Sequence, residues 1–559
     1  MAETLFAELA QLGERLERTT KRGELAALLA GFLKSLPSAE APAAVRLIIG
    51  RIFPEWDSRT LNVSGQAVMA VIEELVDASP TLRDEIYGQA ADTGEAVRVL
   101  LERAPRQPLA SPPITLVEVF EALGQIAETE GRGSRTRKMV LLRGLFSRAS
   151  AVEAKFLVKI IFGEMRHGVD EGILLDGIAQ AAGVKPRVVQ RANQVWGDLG
   201  KVALTALTAG EAELTTATVS LFQPIKPMLA QTAEDPAAAF GEHGGRVAVE
   251  YKLDGARVQI HARGQQVRIY SRQLSDVTDS LPDVVAEVRE KLTAAEAILE
   301  GEVVAVSAEG RPLPFQHLMR RFRRKHEIEE AIVEIPVRLH LFDALYVDAR
   351  SLIDAPNTER WAVLEQVAGS LGMVRRLIPG SLEEFLAFAQ AAVEDGHEGV
   401  MIKDLDSAYT PGVRGKAWLK LKHAISVDLV VVAADWGYGR RHGWLSNYHL
   451  AARDSVTGQY MVVGKTFKGL TDTEFREMTE RLLALEQSRR GSTVFVLPQV
   501  VVEVLFNEIQ ASSQYPSGLS LRFARVSRIR DDKPPVEAES LQNLRRLFDQ
   551  QFERKGRLT

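Results

Sequence analysis

Lys252-Leu253-Asp254-Gly255-Ala256-Arg257 lies just after the apolar stretch Val247-Ala248-Val249. A lysine held at a strand end between fixed polar partners can lose its proton and act as a nucleophile, so the hexamer is a candidate for covalent chemistry on a phosphate. It predicts a lysyl-nucleotide intermediate. Taken alone, the same letters also describe a surface lysine beside a tight Asp-Gly turn.

Strand alternation supplies the neighbours such a lysine would need. Glu250 falls on the same strand face as Lys252. Glu300 and Glu302 sit within the apolar run Ile298 to Val304, which a fully buried strand would not tolerate unless the acids were paired. In Trp418-Leu419-Lys420-Leu421-Lys422 the two lysines point to one side. Two ammonium groups aimed at one phosphate would stabilise the charge that builds during transfer, and such cations are expected to lower the pKa of Lys252. Arg272 follows the apolar run Val267 to Tyr270 and offers phosphate oxygens a bidentate fork. By pattern alone Arg257 and Glu398 read as solvated groups, Phe342 as a core aromatic, and WLKLK as an amphipathic edge strand.

A chain of 559 residues is too long for one core and predicts about three domains. With 46% hydrophobic and 26% charged residues it has the composition of an ordinary globular protein. There is no cysteine, which excludes disulfides and thiolate zinc sites. The first residues alternate charge with leucine at helical spacing and read as neither signal peptide nor membrane span, so the default expectation is a cytoplasmic protein. The net charge of −5 excludes a uniformly basic coat, but two cationic clusters stand out. One holds Arg132, Arg135, Arg137, Lys138, Arg143 and Arg148; the other is Arg320-Arg321-Phe322-Arg323-Arg324-Lys325. Both suit a polyanionic partner.

The texture of the chain changes twice. Helical spacing runs from Met1 to about Leu214, broken at Pro105 to Pro113. From about Val219 β-rich segments appear, with Val258, Ile260 and Ala262 alternating with polar residues before an Arg263-Gly264 turn. Strands and helices then mix to about His423, and after Ser426 short β-rich runs suggest a small Greek-key barrel of the OB kind. The expected architecture is an all-α domain (1–214), an α+β core (215–423) and an all-β OB domain (424–559).

In this order the motifs resemble those of the ATP-dependent DNA ligases of the three-domain type, over most of the chain from about Gly131 to Glu539. The resemblance implies an ATP-grasp-like nucleotidyltransferase core with Lys252 as nucleophile. It implies that Glu250 lies at the adenine pocket, Phe342 stacks on the base, and Arg257 contacts sugar and phosphate. Arg272 would meet phosphate, with Arg414, Lys420 and Lys422 on the same side. Glu302 would face ribose and metal, and Glu398 would be the second acid for Mg²⁺, a cation that prefers hard oxygen ligands. Arg522 to Lys533 resembles the final motif, with Ala524 where proline is usual; its basic residues are expected to close over the ATP β- and γ-phosphates. Ser147 to Ala182 resembles the segment that grips the minor groove beside a nick, implying sequence-independent, salt-sensitive binding of nicked duplex DNA. A monomer is expected; a sliding clamp is a family-level partner for which no peptide motif stands out. The alternatives are an RNA ligase or capping enzyme, disfavoured by the large helical domain, an NAD-dependent ligase, disfavoured by the missing cysteines, and a non-catalytic DNA-binding scaffold.

Overall fold

The computed structural model describes residues 3–76, 78–103, 112–233, 235–323, 328–422 and 425–554. The chain begins with helices, and among the described residues no strand precedes Leu229. The helix Ala151–Phe162 shows why this part folds as it does. Ser150 caps it, accepting from the Glu153 N–H, and Gly163 ends it in the left-handed region at φ +69°. The helix is buried on most of its circumference, and the helix Phe6–Leu16 comes so close that a Cβ on Gly13 would lie 2.2 Å from the Phe156 ring. Lys155 and Lys159, inside the segment expected to grip DNA, are buried and paired with Glu14, Glu17, Asp92 and Glu95. Those two lysines hold helices together.

The cationic clusters are likewise divided. Lys138 is buried and donates to the Leu61 carbonyl, while Arg143 and Arg148 pair with Glu74 and Glu118. Arg132 and Arg135 remain exposed. In the second cluster Arg321 is not a surface cation: it is 1% exposed and bonds to Asp283 and to the Ser280 and Ile335 carbonyls. Arg324 and Lys325, and most of the proline-rich break, lie outside the described residues.

Two five-stranded sheets form the central region. Their strands in chain order are β1 (Leu229–Ala233), β2 (Val247–Lys252), β3 (Ala256–Arg263), β4 (Gln266–Ser271), β5 (Glu296–Ala305), β6 (Val337–Val347), β7 (Arg350–Ser351), β8 (Arg376–Leu377), β9 (Gly399–Asp404) and β10 (Arg414–Lys422). One sheet has the order β1-β10-β9-β2-β8 and the other β4-β3-β5-β6-β7. Alternation on β3 correctly puts Val258, Ile260 and Ala262 in the core, but Gln259 and His261 on the opposite face are buried too. The segment 219–228, running from the helical region into β1, lies over them. His261 Nδ1 accepts from the Phe222 N–H at 2.8 Å, and Gln259 Oε1 accepts from the Ile225 N–H at 3.0 Å. A polar face was therefore legible, though not what covers it.

The third region contains β11 (Ile425–Trp436), β12 (Leu445–Arg453), β13 (Tyr460–Thr466), β14 (Glu486–Arg490), β15 (Thr493–Phe506), β16 (Glu508–Ala511), β17 (Leu519–Arg522) and β18 (Arg525–Ile529). Its main sheet has the order β13-β12-β11-β15-β14 with β18 on β15, and the helix Asp472–Ala484 joins β13 to β14. This is the expected β-rich barrel, with Val431, Val502, Phe475 and Phe506 in one core. No described helix is long and apolar enough to cross a membrane.

Candidate active site

A cleft of about 940 Å³ opens between the two central sheets and the third region. Glu250, Lys252, Arg257, Arg272, Glu302, Phe342, Glu398, Arg414, Lys420 and Lys422 all line it. Their convergence has a local cause. Lys252 ends β2 opposite Gly399 of the antiparallel β9, which brings Glu398 beside it. The chain then turns at Gly255, where a Cβ would lie 2.4 Å from the Val303 carbonyl, so this backbone can approach β5 only as glycine. Glu302 thereby reaches the same wall.

Lys252 Nζ lies 2.6 Å from Glu398 Oε2, and Lys422 Nζ lies 2.9 Å from the same oxygen. Burial opposes a charge on Lys252, but the carboxylates of Glu398, Glu302 and Asp254 outweigh it and raise its pKa. The expected lowering by neighbouring cations is thus overturned here, because the closest charged group is an acid. Burial would raise Glu398, yet Lys252 and Lys422 hold it down at about 2. Lys420 does behave as a member of a cation cluster: burial lowers its pKa, and so do Arg414, Lys422, Lys252 and Arg272. No ion-pair partner accompanies Arg272, Arg414 or Lys420 among the described residues.

Burial in the cleft wall pushes Glu302 up to about 7, with Lys252 and Arg257 only partly offsetting it. A recessed carboxylate so poorly compensated suits a cation. Among the described residues there is no group of three or more candidate metal ligands. Two carboxylates are nonetheless what Mg²⁺ needs from a protein when phosphate and water complete its shell.

The other end of the cleft is electrically closed. Glu250 is 1% exposed, with Lys403 Nζ at 2.6 Å from one oxygen and Arg376 Nη1 at 2.9 Å from the other. Lys403 also donates to the Phe342 carbonyl and lies 4.7 Å and 4.4 Å from the centroids of Phe342 and Trp418. The guanidinium of Arg257 is committed to Glu300 Oε2 at 2.6 Å and to the Met228 carbonyl at 2.7 Å, with its face near Phe342 and Trp418. Arg257 therefore braces the pocket floor, and Glu300 is its counter-ion.

From the third region Arg522, Phe523, Arg525, Lys468 and Asn507 complete the lining. Arg522 reaches Asp254 at 3.5 Å and Glu508 at 3.2 Å, and Phe523 lies 5.1 Å from Lys422 Nζ. The rest of the basic motif faces elsewhere: Arg528 pairs with Glu503, and both Arg530 and Lys533 with Asp428. Reading the sequence missed Lys403, Arg376, Trp418, Lys468 and Asn507. Lys403 carried a usable signal, a cation closing the apolar strand Val400-Met401-Ile402; Arg376 and Lys468 carried none.

The chain matches the family "ATP dependent DNA ligase domain" over residues 227–422, with "DNA ligase N terminus" matched over 5–179 and "ATP dependent DNA ligase C terminal region" over 441–533. It is 44% identical to DNA ligase 1 of Korarchaeum cryptofilum, covering 98% of this chain and 99% of that one. To the DNA ligase of Thermococcus fumicolans it is 40% identical over 97% and 98% of the two chains. A solved structure called Pmar-Lig_PreS3 shares the fold with a TM-score of 0.54 at 19% identity, covering 93% of this chain and 99% of its own. On this near full-length similarity, carried through all three regions, the chain belongs to the ATP-dependent DNA ligases.

Proposed function

We propose that Lys252 is the nucleophile of this ligase and that the cleft around it performs adenylyl transfer from ATP to the protein and then to the 5′-phosphate of a nick. The observation that carries the reading is the placement of Lys252 at the junction of β2 and β9, with Glu398 at 2.6 Å and unpaired cations on the same cleft. The attacking amine must be neutral, so its proton leaves to water before the attack; Glu398, held at about 2, is too weak a base to take it and serves to hold Nζ in place. The Nζ lone pair forms a bond to the α-phosphorus of ATP while the α–β bridging bond breaks and pyrophosphate leaves. Lys420, Arg272 and Arg414 compensate the charge that accumulates on the transferred group. An oxygen of the DNA 5′-phosphate then displaces Lys252 from phosphorus. Finally the 3′-hydroxyl attacks that activated phosphate, expels AMP and closes the strand.

Phe342 and Trp418 are assigned to the faces and edge of the base, with Glu250 at its polar rim. Glu302 and Glu398 are the residues that would hold Mg²⁺, which supplies Lewis-acid neutralisation of phosphate oxygens. We assign DNA binding to residues 1–214, adenylyl transfer to 215–423 and the closing barrel to 424–559. The test is incubation of the protein with α-labelled ATP, followed by addition of nicked duplex. Label should pass to protein, then to DNA, with peptide mapping placing it on Lys252. Label on another residue would overturn the nucleophile assignment.

A further inference from the structure

The basic motif expected to hold the β- and γ-phosphates is spent largely on its own barrel. Arg530 and Lys533 share Asp428 at 3.0 Å and 2.7 Å, Arg528 pairs with Glu503 at 2.8 Å, and Arg522 is divided between Asp254 and Glu508. Lys468 differs from all of these. It lines the cleft and is exposed, and among the described residues no carboxylate pairs with it.

Its mounting is equally specific. Thr466 Oγ1 donates to the Ala524 carbonyl at 2.6 Å, and the Val526 N–H donates to the Lys468 carbonyl at 2.9 Å. The next residue, Gly469, has φ +108°, and a Cβ there would lie 1.8 Å from the Val526 carbonyl oxygen. Residues 466–469 are thus zipped onto 524–526, so Lys468 moves as one body with Arg522 and Arg525 although it lies far upstream in the chain.

We propose that Lys468 binds the β- and γ-phosphates of ATP, and the pyrophosphate they become, as a cation that the third region presents to the cleft without an ion pair among the described residues. The argument rests on the reading that this cleft transfers adenylate to Lys252. No bond is made or broken at Lys468; its ammonium donates hydrogen bonds to phosphate oxygens whose charge rises as the α–β bond breaks. A lysine serves here as a point charge on a flexible stem, able to follow the leaving group. Because it is exposed and holds no structural ion pair, its removal leaves the fold intact.

The experiment compares full-length wild type, Lys468→Ala and Lys468→Arg in three assays: labelling by Mg-ATP, reversal of the lysyl-adenylate by added inorganic pyrophosphate, and sealing of a pre-adenylylated nick without ATP. Lys468→Ala should raise the half-saturating pyrophosphate concentration about tenfold, the effect of one charge-assisted contact, and slow labelling in step. Lys468→Arg should restore most of both, and sealing of the pre-adenylylated nick should change less than about twofold. An unchanged pyrophosphate requirement in a variant that labels normally overturns this proposal alone. Equal losses in all three assays also overturn it, assigning Lys468 to the fold. Failure of wild type to label Lys252 would instead strike the adenylyl-transfer reading on which it rests.

Discussion

The two ends of the cleft follow opposite electrostatic rules. At the end assigned to the base each named charge has a partner: Glu250 is clasped by Lys403 and Arg376, Arg257 by Glu300, and Glu250, Glu300 and Lys403 are buried. At the end assigned to phosphate, Arg272, Arg414, Lys420 and Lys468 face the same space with no paired acid among the described residues, and burial and neighbouring cations push the Lys420 amine down. A neutral aromatic base needs a rigid slot, whereas a triphosphate brings its own counter-charge. Compensated charges keep the first end in shape; uncompensated ones make the second end attractive to a polyanion.

Mutations at the two ends should therefore fail differently. The largest effect belongs to Lys252→Ala, which should abolish transfer of label from α-labelled ATP to protein while leaving the unfolding midpoint close to wild type. Glu250→Ala should cost about 3–5 kcal/mol of stability, since it strands two buried cations. A denaturant titration showing less than about 1 kcal/mol would break the contrast. Lys420→Ala should do the reverse: labelling falls about a hundredfold, as for loss of one charge-stabilising donor, while stability stays within about 0.5 kcal/mol or improves as repulsion is relieved.

The smallest effect belongs to the covered face of β3, outside the cleft lining. Burial lowers the pKa of His261 from 6.5 to about 3, and its Nδ1 must stay unprotonated to accept from the Phe222 N–H. The unfolded chain takes up this proton first as pH falls. The contribution to stability is therefore complete above the unfolded value and drains away between 6.5 and about 3. Its slope is about 1.4 kcal/mol per pH unit. Unfolding titrations at pH 7 and pH 5 should show the loss in wild type and a flatter dependence in His261→Gln.

Much of the site was legible because it is local. Lys252, Glu302, Lys420 and Lys422 are strand residues whose side follows from alternation, and the order of their motifs pointed to one family. Partners recruited from distant parts of the chain were not legible. Arg376 reaches Glu250 from a two-residue strand, and Lys468 enters the cleft only because Gly469 allows residues 466–469 to zip onto 524–526. Charge counts misled for the same reason. Lys138 and Arg321 stood in the two cationic clusters, but acids and carbonyls far away in sequence claim them. Local spacing reports direction; it does not report what arrives from elsewhere.

The docking of residues 219–228 on β3 sets the leash of the helical region. The last helix of that part ends at Thr215, and the first side chain to hold the connection takes the Phe222 N–H. Only Thr216 to Leu221 is left to pay out, a span of at most about 20 Å when drawn straight. The length of this stub therefore caps how far the helical region could part from the central sheets once its packing and its Arg191–Asp354 and Lys226–Glu171 ion pairs let go.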